Sequence, residues 1–198
     1  MEKDTIYHLY NRGNNRQKIF FNRNNYLFFL QKVRKHLYPH CDIFAYCLMP
    51  NHFHFMIYAN ANSEKTKKYG NGRVNIFSEN LRIMLSSYTQ AINKQENRTG
   101  SLFQQNSKLK PLNDVFYGKI SKPTNIGYDY FCFHYIHNNP VNAGIVNKNE
   151  NWEFSSYQDY LGLRNGSLIN KTLALKTISF EDDLFNKQSG LIKFMEKF

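Results

Sequence analysis

Two histidines separated by one residue, His52 and His54, stand in the segment HFHFMIYA. Its aromatic and β-branched residues read as a strand. Side chains alternate across a strand with period two, so both imidazoles share one face while Phe53 and Phe55 point into the other. Two imidazoles side by side are half of a metal site. Neither is adjacent to a cysteine, which makes a structural zinc finger a poor fit. A complete site needs at least one more protein ligand and room for a substrate oxygen.

The missing parts occur in Phe133-His134-Tyr135-Ile136-His137-Asn138-Asn139-Pro140-Val141, within a predicted helix. Tyr135 and Asn139 are four residues apart and share a helix face. An amide oxygen is a fairly hard metal ligand, and a phenol beside it could reach a phosphate on the same cation. A neutral phenol, with an ordinary pKa of about 10, is a weak nucleophile and gains from nearby positive charge. A cation would polarise and align the phosphate. The product, a phosphotyrosine, keeps the energy of the broken diester, so the strand can be rejoined without ATP. The residue types alone leave other assignments open. Tyr88, Tyr128 and Tyr130 are rival nucleophiles, and His134 and His137 are rival ligands that face other sides of the helix. The histidine pair is also compatible with a solvated sheet face, and Tyr135 with a core aromatic.

The elements that must position these groups are readable from pattern. Residues 5–12, TIYHLYNR, read as a strand ending at Gly13. Residues 23–37 carry Tyr26, Phe28, Phe29, Val33 and Leu37 at helical spacing, with Asn22 as cap and Pro39 as stop. Residues 41–48 and 52–59 read as two strands joined by Met49-Pro50-Asn51, a tight hairpin expected at the centre of a sheet. Residues 60–75 are polar and lysine-rich and read as a loop. Residues 76–94 repeat apolar side chains at helical steps through Phe77, Leu81, Met84, Leu85, Tyr88 and Ile92. The segment NRTGSLFQ leads into a further strand. Residues 123–139 read as the third helix, with Pro123 at its start and an end near Asn139 imposed by Pro140. Helices interleaved with antiparallel strands imply an α+β domain. Beyond residue 162 the patterning weakens, although ALKTI and LIKFMEKF suggest short elements. The expected organisation is a catalytic domain over 1–162 and an extension over 163–198.

The chain has 198 residues, a formal net charge of +11 and a pI near 9.5. A domain this basic attracts a polyanion, most commonly nucleic acid. Cys41, Cys47 and Cys132 are odd in number and lack CxxC spacing, which argues against a disulfide framework or a cysteine zinc site. MEKDTIYHLY has no apolar signal region, and no apolar run approaches a membrane span. The expectation is a cytoplasmic protein with no membrane partner, associated with a bacterial chromosome. Arg12, Arg16, Lys18, Lys65, Lys67, Lys68, Arg73, Lys108 and Lys110 fall mainly in predicted loops and are candidate phosphate contacts.

Taken together, these residues resemble a known family. Leu48-Met49-Pro50-Asn51-His52-Phe53-His54 is similar to the His-hydrophobic-His (HUH) motif of the single-tyrosine transposases of the IS200/IS605 type. The resemblance is stronger to the branch associated with repetitive extragenic palindromes (REP). Tyr7-His8-Leu9-Tyr10-Asn11-Arg12-Gly13 resembles its first strand, and Gly100-Ser101-Leu102-Phe103-Gln104 its Gly-x-Leu-aromatic-Gln element. Its tyrosine helix ends like Tyr135-Ile136-His137-Asn138-Asn139-Pro140-Val141, followed by a glycine such as Gly144. Its closing tract is like Trp152-Glu153-Phe154-Ser155-Ser156-Tyr157, with Tyr160 beyond. The likeness covers residues 5 to about 162. Two departures stand out. Gln105-Asn106-Ser107-Lys108 replaces a basic Arg-Phe-Lys-like stretch, and Asn139 stands where insertion-sequence members often use glutamine.

The resemblance implies a ferredoxin-like antiparallel sheet with helices packed on one face. It implies His52, His54 and Asn139 as ligands of Mg2+ or Mn2+ and Tyr135 as the nucleophile. It implies single-stranded DNA with hairpins as partner, a 5′-phosphotyrosine intermediate with a free 3′-hydroxyl, and a monomer or homodimer. Competing expectations are a hairpin-DNA binder without cleavage, an RNA-binding ferredoxin-like domain and a metal-dependent nuclease that uses water.

Overall fold

A computed structural model describes residues 1–112 and 127–178 of the chain. Its main sheet has four antiparallel strands in the order β2-β3-β1-β6. These are β1 (Ile6–Arg12), β2 (Asp42–Met49), β3 (His52–Tyr58) and β6 (Lys108–Pro111). A separate two-stranded hairpin comprises β4 (Thr66–Tyr69) and β5 (Gly72–Asn75). The helices are α1 (Arg23–His36), α2 (Ile76–Gln95), α3 (Tyr128–Asn142), α4 (Tyr157–Tyr160) and α5 (Lys171–Thr177). The mixed α+β class is therefore as the patterning implied. No helix among the described residues is long and apolar enough to cross a membrane.

Two apolar clusters lie on opposite faces of the sheet. On one face Tyr7, Leu9, Phe53, Phe55 and Ile57 pack against Tyr26, Phe29 and Val33 of α1 and Phe77, Met84 and Tyr88 of α2. This is the expected helical layer. On the other face Ala45, Cys47, Met49 and Met56 pack against Tyr130, Cys132, Phe133 and Ile136 of α3 and Ala174 of α5. Burial on both faces explains why CDIFAYCL is almost continuously apolar instead of alternating. A register shift between Ile43 and Ala45 adds one residue to β2. The bulge re-phases the strand, so that Ile43 and Tyr46 serve the α1–α2 face while Ala45 and Cys47 serve the α3 face.

The β2–β3 hairpin is not at the sheet centre. β3 and β1 are the inner strands, and β2 lies at the edge. That edge is covered by the tract after α3: Leu48 N–H donates to the Phe154 carbonyl (2.9 Å), and Ser156 N–H donates to the Tyr46 carbonyl (3.0 Å). The Trp152 indole adds a bond to the Leu48 carbonyl at 3.0 Å. An apolar strand with an open edge invites pairing with other chains; here the chain's own later segment occupies it.

Local chemistry sets several boundaries. Asn22 and Asn25 form a reciprocal capping box at the start of α1. Residues 60–75, expected as a loop, contain β4 and β5. β4 is exposed at every position, so it carries no alternation from which a strand could be read. Residues 123–126 of the expected 123–139 helix lie outside the described residues, and so does the whole of LIKFMEKF. ALKTI falls within and just after α5. The end near Asn139 is corrected: α3 runs through Pro140 to Asn142. Proline costs one helix hydrogen bond, but the final turn is closed differently. Gly144 adopts φ +66°, its N–H bonds the Val141 carbonyl, and Ile145 N–H bonds the Pro140 carbonyl, both at 2.9 Å. This is the glycine-terminated Schellman arrangement.

Candidate active site between the central strand and the tyrosine helix

His52 and His54 lie on the α3 face of β3, directly opposite Arg12 and Tyr10 of β1. α3 crosses this face and presents Tyr135 and Asn139 to the two imidazoles. The Tyr135 ring centroid is 5.4 Å from that of His54, and the two imidazole centroids are 5.0 Å apart. Asn139 Oδ1 is 3.5 Å from His52 Nε2. The sequence-selected quartet is therefore gathered in one place, by a strand period of two on one side and a helical i, i+4 step on the other.

Hydrogen bonds around the quartet fix which atoms face inward. Asn51 donates Nδ2–H to the Arg16 carbonyl at 3.2 Å. Its Oδ1 is thereby turned to His52 Nδ1 at 2.6 Å, which places the proton on Nδ1. Asn139 donates Nδ2–H to the Tyr135 carbonyl at 2.7 Å, which turns its Oδ1 toward His52 Nε2. Two lone-pair atoms then oppose each other at 3.5 Å. On the neighbouring ring, His54 Nδ1 is 2.9 Å from His8 Nε2, while His54 Nε2 is buried with no hydrogen-bond partner. Opposed acceptors and an orphaned ring nitrogen suit a cation, since each lacks a proton donor and buried polar atoms are rarely left so.

The electrostatics agree. Burial, then the neighbouring His8, His52 and Arg12, holds His54 well below the ordinary imidazole range. His52 is lowered by burial, with Asn139 opposing and Arg12 adding to the shift. His8 is pushed down to about 4 by burial and by Lys110. All three imidazoles are thus neutral near pH 7. Among the described residues no group of three His, Cys, Asp or Glu side chains is arranged to hold a metal. Beside the histidine pair stands the Asn139 amide oxygen, 3.5 Å from His52 Nε2.

Burial raises the pKa of Tyr135, as does Cys132, while Asn139 and Arg12 pull it down. Arg12, selected from sequence as a phosphate contact, is thus close enough to act on the phenol. Lys108 and Lys110 pair with Tyr10 and His8 across β1–β6, on the same sheet face as the quartet. Arg16 and Lys18 are exposed in the turn after Gly13. A Cβ on Gly13 would lie 2.2 Å from the Gln17 carbonyl oxygen, so the tight packing of this turn requires glycine. Lys65, Lys67, Lys68 and Arg73 lie on or beside the β4–β5 hairpin, beyond the far end of β3. Lys67 is 4.0 Å from Glu79 and Arg73 bonds Thr66.

The rival residues are placed elsewhere, with one exception. Tyr88 is buried on the α1–α2 face with its hydroxyl on the Ile19 carbonyl. The Tyr130 and His134 rings meet at a tilt with centroids 4.4 Å apart, and both are buried. His137 Nε2 is 2.7 Å from Ser156 Oγ. The exception is Tyr128, two turns before Tyr135 and electrostatically coupled to Tyr135 and Tyr10. His8, Tyr10 and Asn51 belong to the site although their types did not single them out. The alternation of His8, Tyr10 and Arg12 along TIYHLYNR was the available signal, but it gains meaning only from the β1–β3 register.

No family model and no curated protein sequence matches the chain. A solved structure of a REP-associated tyrosine transposase bound to a REP hairpin is similar to it, with a TM-score of 0.53 and 17% identity. The match covers 82% of this chain and 81% of that one. A likeness at this identity establishes a shared fold.

Proposed function

We propose that the protein is a metal-dependent single-stranded DNA nicking and rejoining enzyme, a transposase-like strand transferase of the IS200/IS605 type, nearest to the REP-associated branch. The observation that carries this reading is the meeting of Tyr135, Asn139, His52 and His54 across α3 and β3, with the Asn139 oxygen 3.5 Å from His52 Nε2. The shared fold with a hairpin-bound tyrosine transposase and the net charge of +11 point the same way.

In this reading His52 Nε2, His54 Nε2 and Asn139 Oδ1 hold Mg2+ or Mn2+. Bound there, the cation would withdraw charge from a non-bridging oxygen of the scissile phosphate. Arg12 favours departure of the Tyr135 proton to solvent and faces the incoming phosphate. The phenol oxygen forms a bond to phosphorus, and the bond to the 3′ oxygen breaks. That oxygen leaves as a 3′-hydroxyl after taking a proton from solvent. The 5′ phosphate stays on Tyr135 until a 3′-hydroxyl reverses the step. Lys108 and Lys110 extend the positive face along the β6 edge, where they would follow a DNA backbone.

An RNA-binding sheet is the weaker reading, because helices pack against both faces of the main sheet and stacking platforms need an open face. The test is incubation with labelled single-stranded hairpin DNA and Mn2+. A denaturation-resistant adduct, lost in Tyr135→Phe and present in Tyr128→Phe, is the expected result. An adduct that survives Tyr135→Phe would remove the assigned nucleophile. Binding without any adduct across a broad hairpin set would favour the non-cleaving reading.

A further inference from the structure

His8 stands outside the residues that the proposed chemistry uses, yet it is buried against them. Its Nε2 is 2.9 Å from His54 Nδ1, and the two rings stack with centroids 5.0 Å apart. On its flanks lie Tyr10, 4.7 Å away by centroid, and Tyr135 at 6.2 Å. Across the β1–β6 pair it faces Lys110. One proton is shared along the His8–His54 line, and its position decides what His54 offers the site.

If His8 donated, neutral His54 would carry its proton on Nε2. That atom is buried and has no acceptor. A buried N–H with nothing to donate to loses its hydration without compensation and is disfavoured. If His54 donates from Nδ1, its Nε2 keeps a lone pair directed away from His8. Only this tautomer can bind a cation. Ligating imidazoles are commonly oriented by such a bond from the second ring nitrogen.

We propose that His8 is a positioning residue for His54, accepting its Nδ1–H so that the Nε2 lone pair is held toward the cation site. This rests on the reading of His52, His54 and Asn139 as cation ligands. Most such orienting partners are carboxylates or backbone carbonyls. A neutral imidazole performs the same task here without placing a further negative charge beside the DNA backbone. The partnership is possible because β1 pairs antiparallel to β3 with Tyr10 opposite His54. His8 then lies diagonally across from His54 on the same face, within reach of a ring-to-ring bond.

The test uses the full chain and two readouts. In metal-free protein, two-bond nitrogen–proton NMR correlations of the histidine rings should give His54 as the Nδ1–H tautomer. An Nε2–H tautomer overturns the proposal whatever the metal does. Titration with Mn2+ alone, followed by electron paramagnetic resonance, should show binding that His52→Ala and His54→Ala abolish. His8→Leu, which removes the acceptor and keeps an apolar bulk, should weaken Mn2+ binding about 10- to 100-fold. His8→Gln, whose amide oxygen can accept the same proton, should recover most of that loss. Far-ultraviolet circular dichroism reports whether each variant is folded. Equal Mn2+ affinity in wild type and His8→Leu overturns the positioning role and leaves the metal-site reading intact. Absence of histidine-dependent Mn2+ binding in the wild type overturns both. Loss in His8→Leu without recovery in His8→Gln assigns His8 a packing role instead.

Discussion

Asn139 donates its amide N–H to the carbonyl of Tyr135, four residues earlier, at 2.7 Å. The bond is local to one turn of α3, yet it sets the direction of the Asn139 oxygen and hence what His52 meets across the sheet–helix boundary. A mobile asparagine could offer either end of its amide. Held this way, it can oppose His52 only with a lone pair. The helix α3 therefore holds a phenol and a fixed amide oxygen on one backbone segment.

Asn139→Asp should expose this arrangement. A carboxylate has no N–H for the Tyr135 carbonyl and sets two negative oxygens among acceptors. In chelator the variant should be destabilised by about 1–3 kcal/mol, a fall in Tm of roughly 3–10 °C for a chain of this size. Mn2+ should restore stability by binding the folded state, giving a larger rise in Tm than in the wild type. Thermal melts with and without Mn2+ measure both effects. An equal metal response in the two proteins would mean that residue 139 is not a ligand.

How much of this site is legible in the sequence depends on how local each relationship is. The shared face of His52 and His54 follows from strand period alone, and the shared face of Tyr135 and Asn139 from helical period. The capping box at Asn22 and Asn25 is likewise a property of a few neighbouring residues. The link between His54 and His8 is not local. It depends on the β1–β3 register and on nothing either segment carries by itself. Pro140 misleads for a related reason: its disfavour for helix is real, but the closing bonds from Gly144 and Ile145 lie beyond it. β4 is hidden because it is exposed at every position, and β5 because Val74 is its one apolar residue, so the hydrophobic signal of a strand is missing.

Arg12 should act on the chemical step as well as on DNA affinity. Its guanidinium lowers the pKa of Tyr135 against the effect of burial. Arg12→Gln should therefore raise the phenol pKa and slow adduct formation near neutral pH. The deficit should persist at constant ratio below the phenol pKa, which burial holds above its ordinary value in both proteins, and shrink only at higher pH. Single-turnover rates at saturating DNA between pH 7 and 10 separate this from weaker binding. An unchanged rate at saturating DNA would assign Arg12 to phosphate contact alone.

Position on the fold divides the basic residues. Lys108 and Lys110 share the sheet face of the quartet, whereas Lys67 and Arg73 lie on the β4–β5 hairpin with partners of their own. Each phosphate contact to a single strand contributes about 0.7 to the slope of log affinity against log salt. Lys108→Ala with Lys110→Ala should therefore reduce the slope by about 1.4. Lys67→Ala with Arg73→Ala should change it little. The measurement is fluorescence anisotropy with labelled hairpin DNA from 50 to 300 mM salt in chelator. The reverse ranking would move the DNA path to the hairpin.

Acid should unfold the protein through its buried neutral histidines on α3. Burial lowers His134 to about 4, and burial together with His134 lowers His137 to about 3. An unfolded histidine titrates near 6.5. Between about pH 6.5 and 4 the unfolded chain therefore binds protons that the folded chain refuses, and stability falls as pH falls. The contribution is complete above the unfolded pKa and is lost progressively through that window. For His134 the loss is on the order of 3 kcal/mol by pH 4. Urea unfolding at pH 7, 6, 5 and 4 measures it. His134→Gln, which cannot gain a proton, should be less stable at pH 7 and lose less stability on acidification. A variant with the same pH slope as the wild type would show that His134 takes up its proton equally in the folded and unfolded chains.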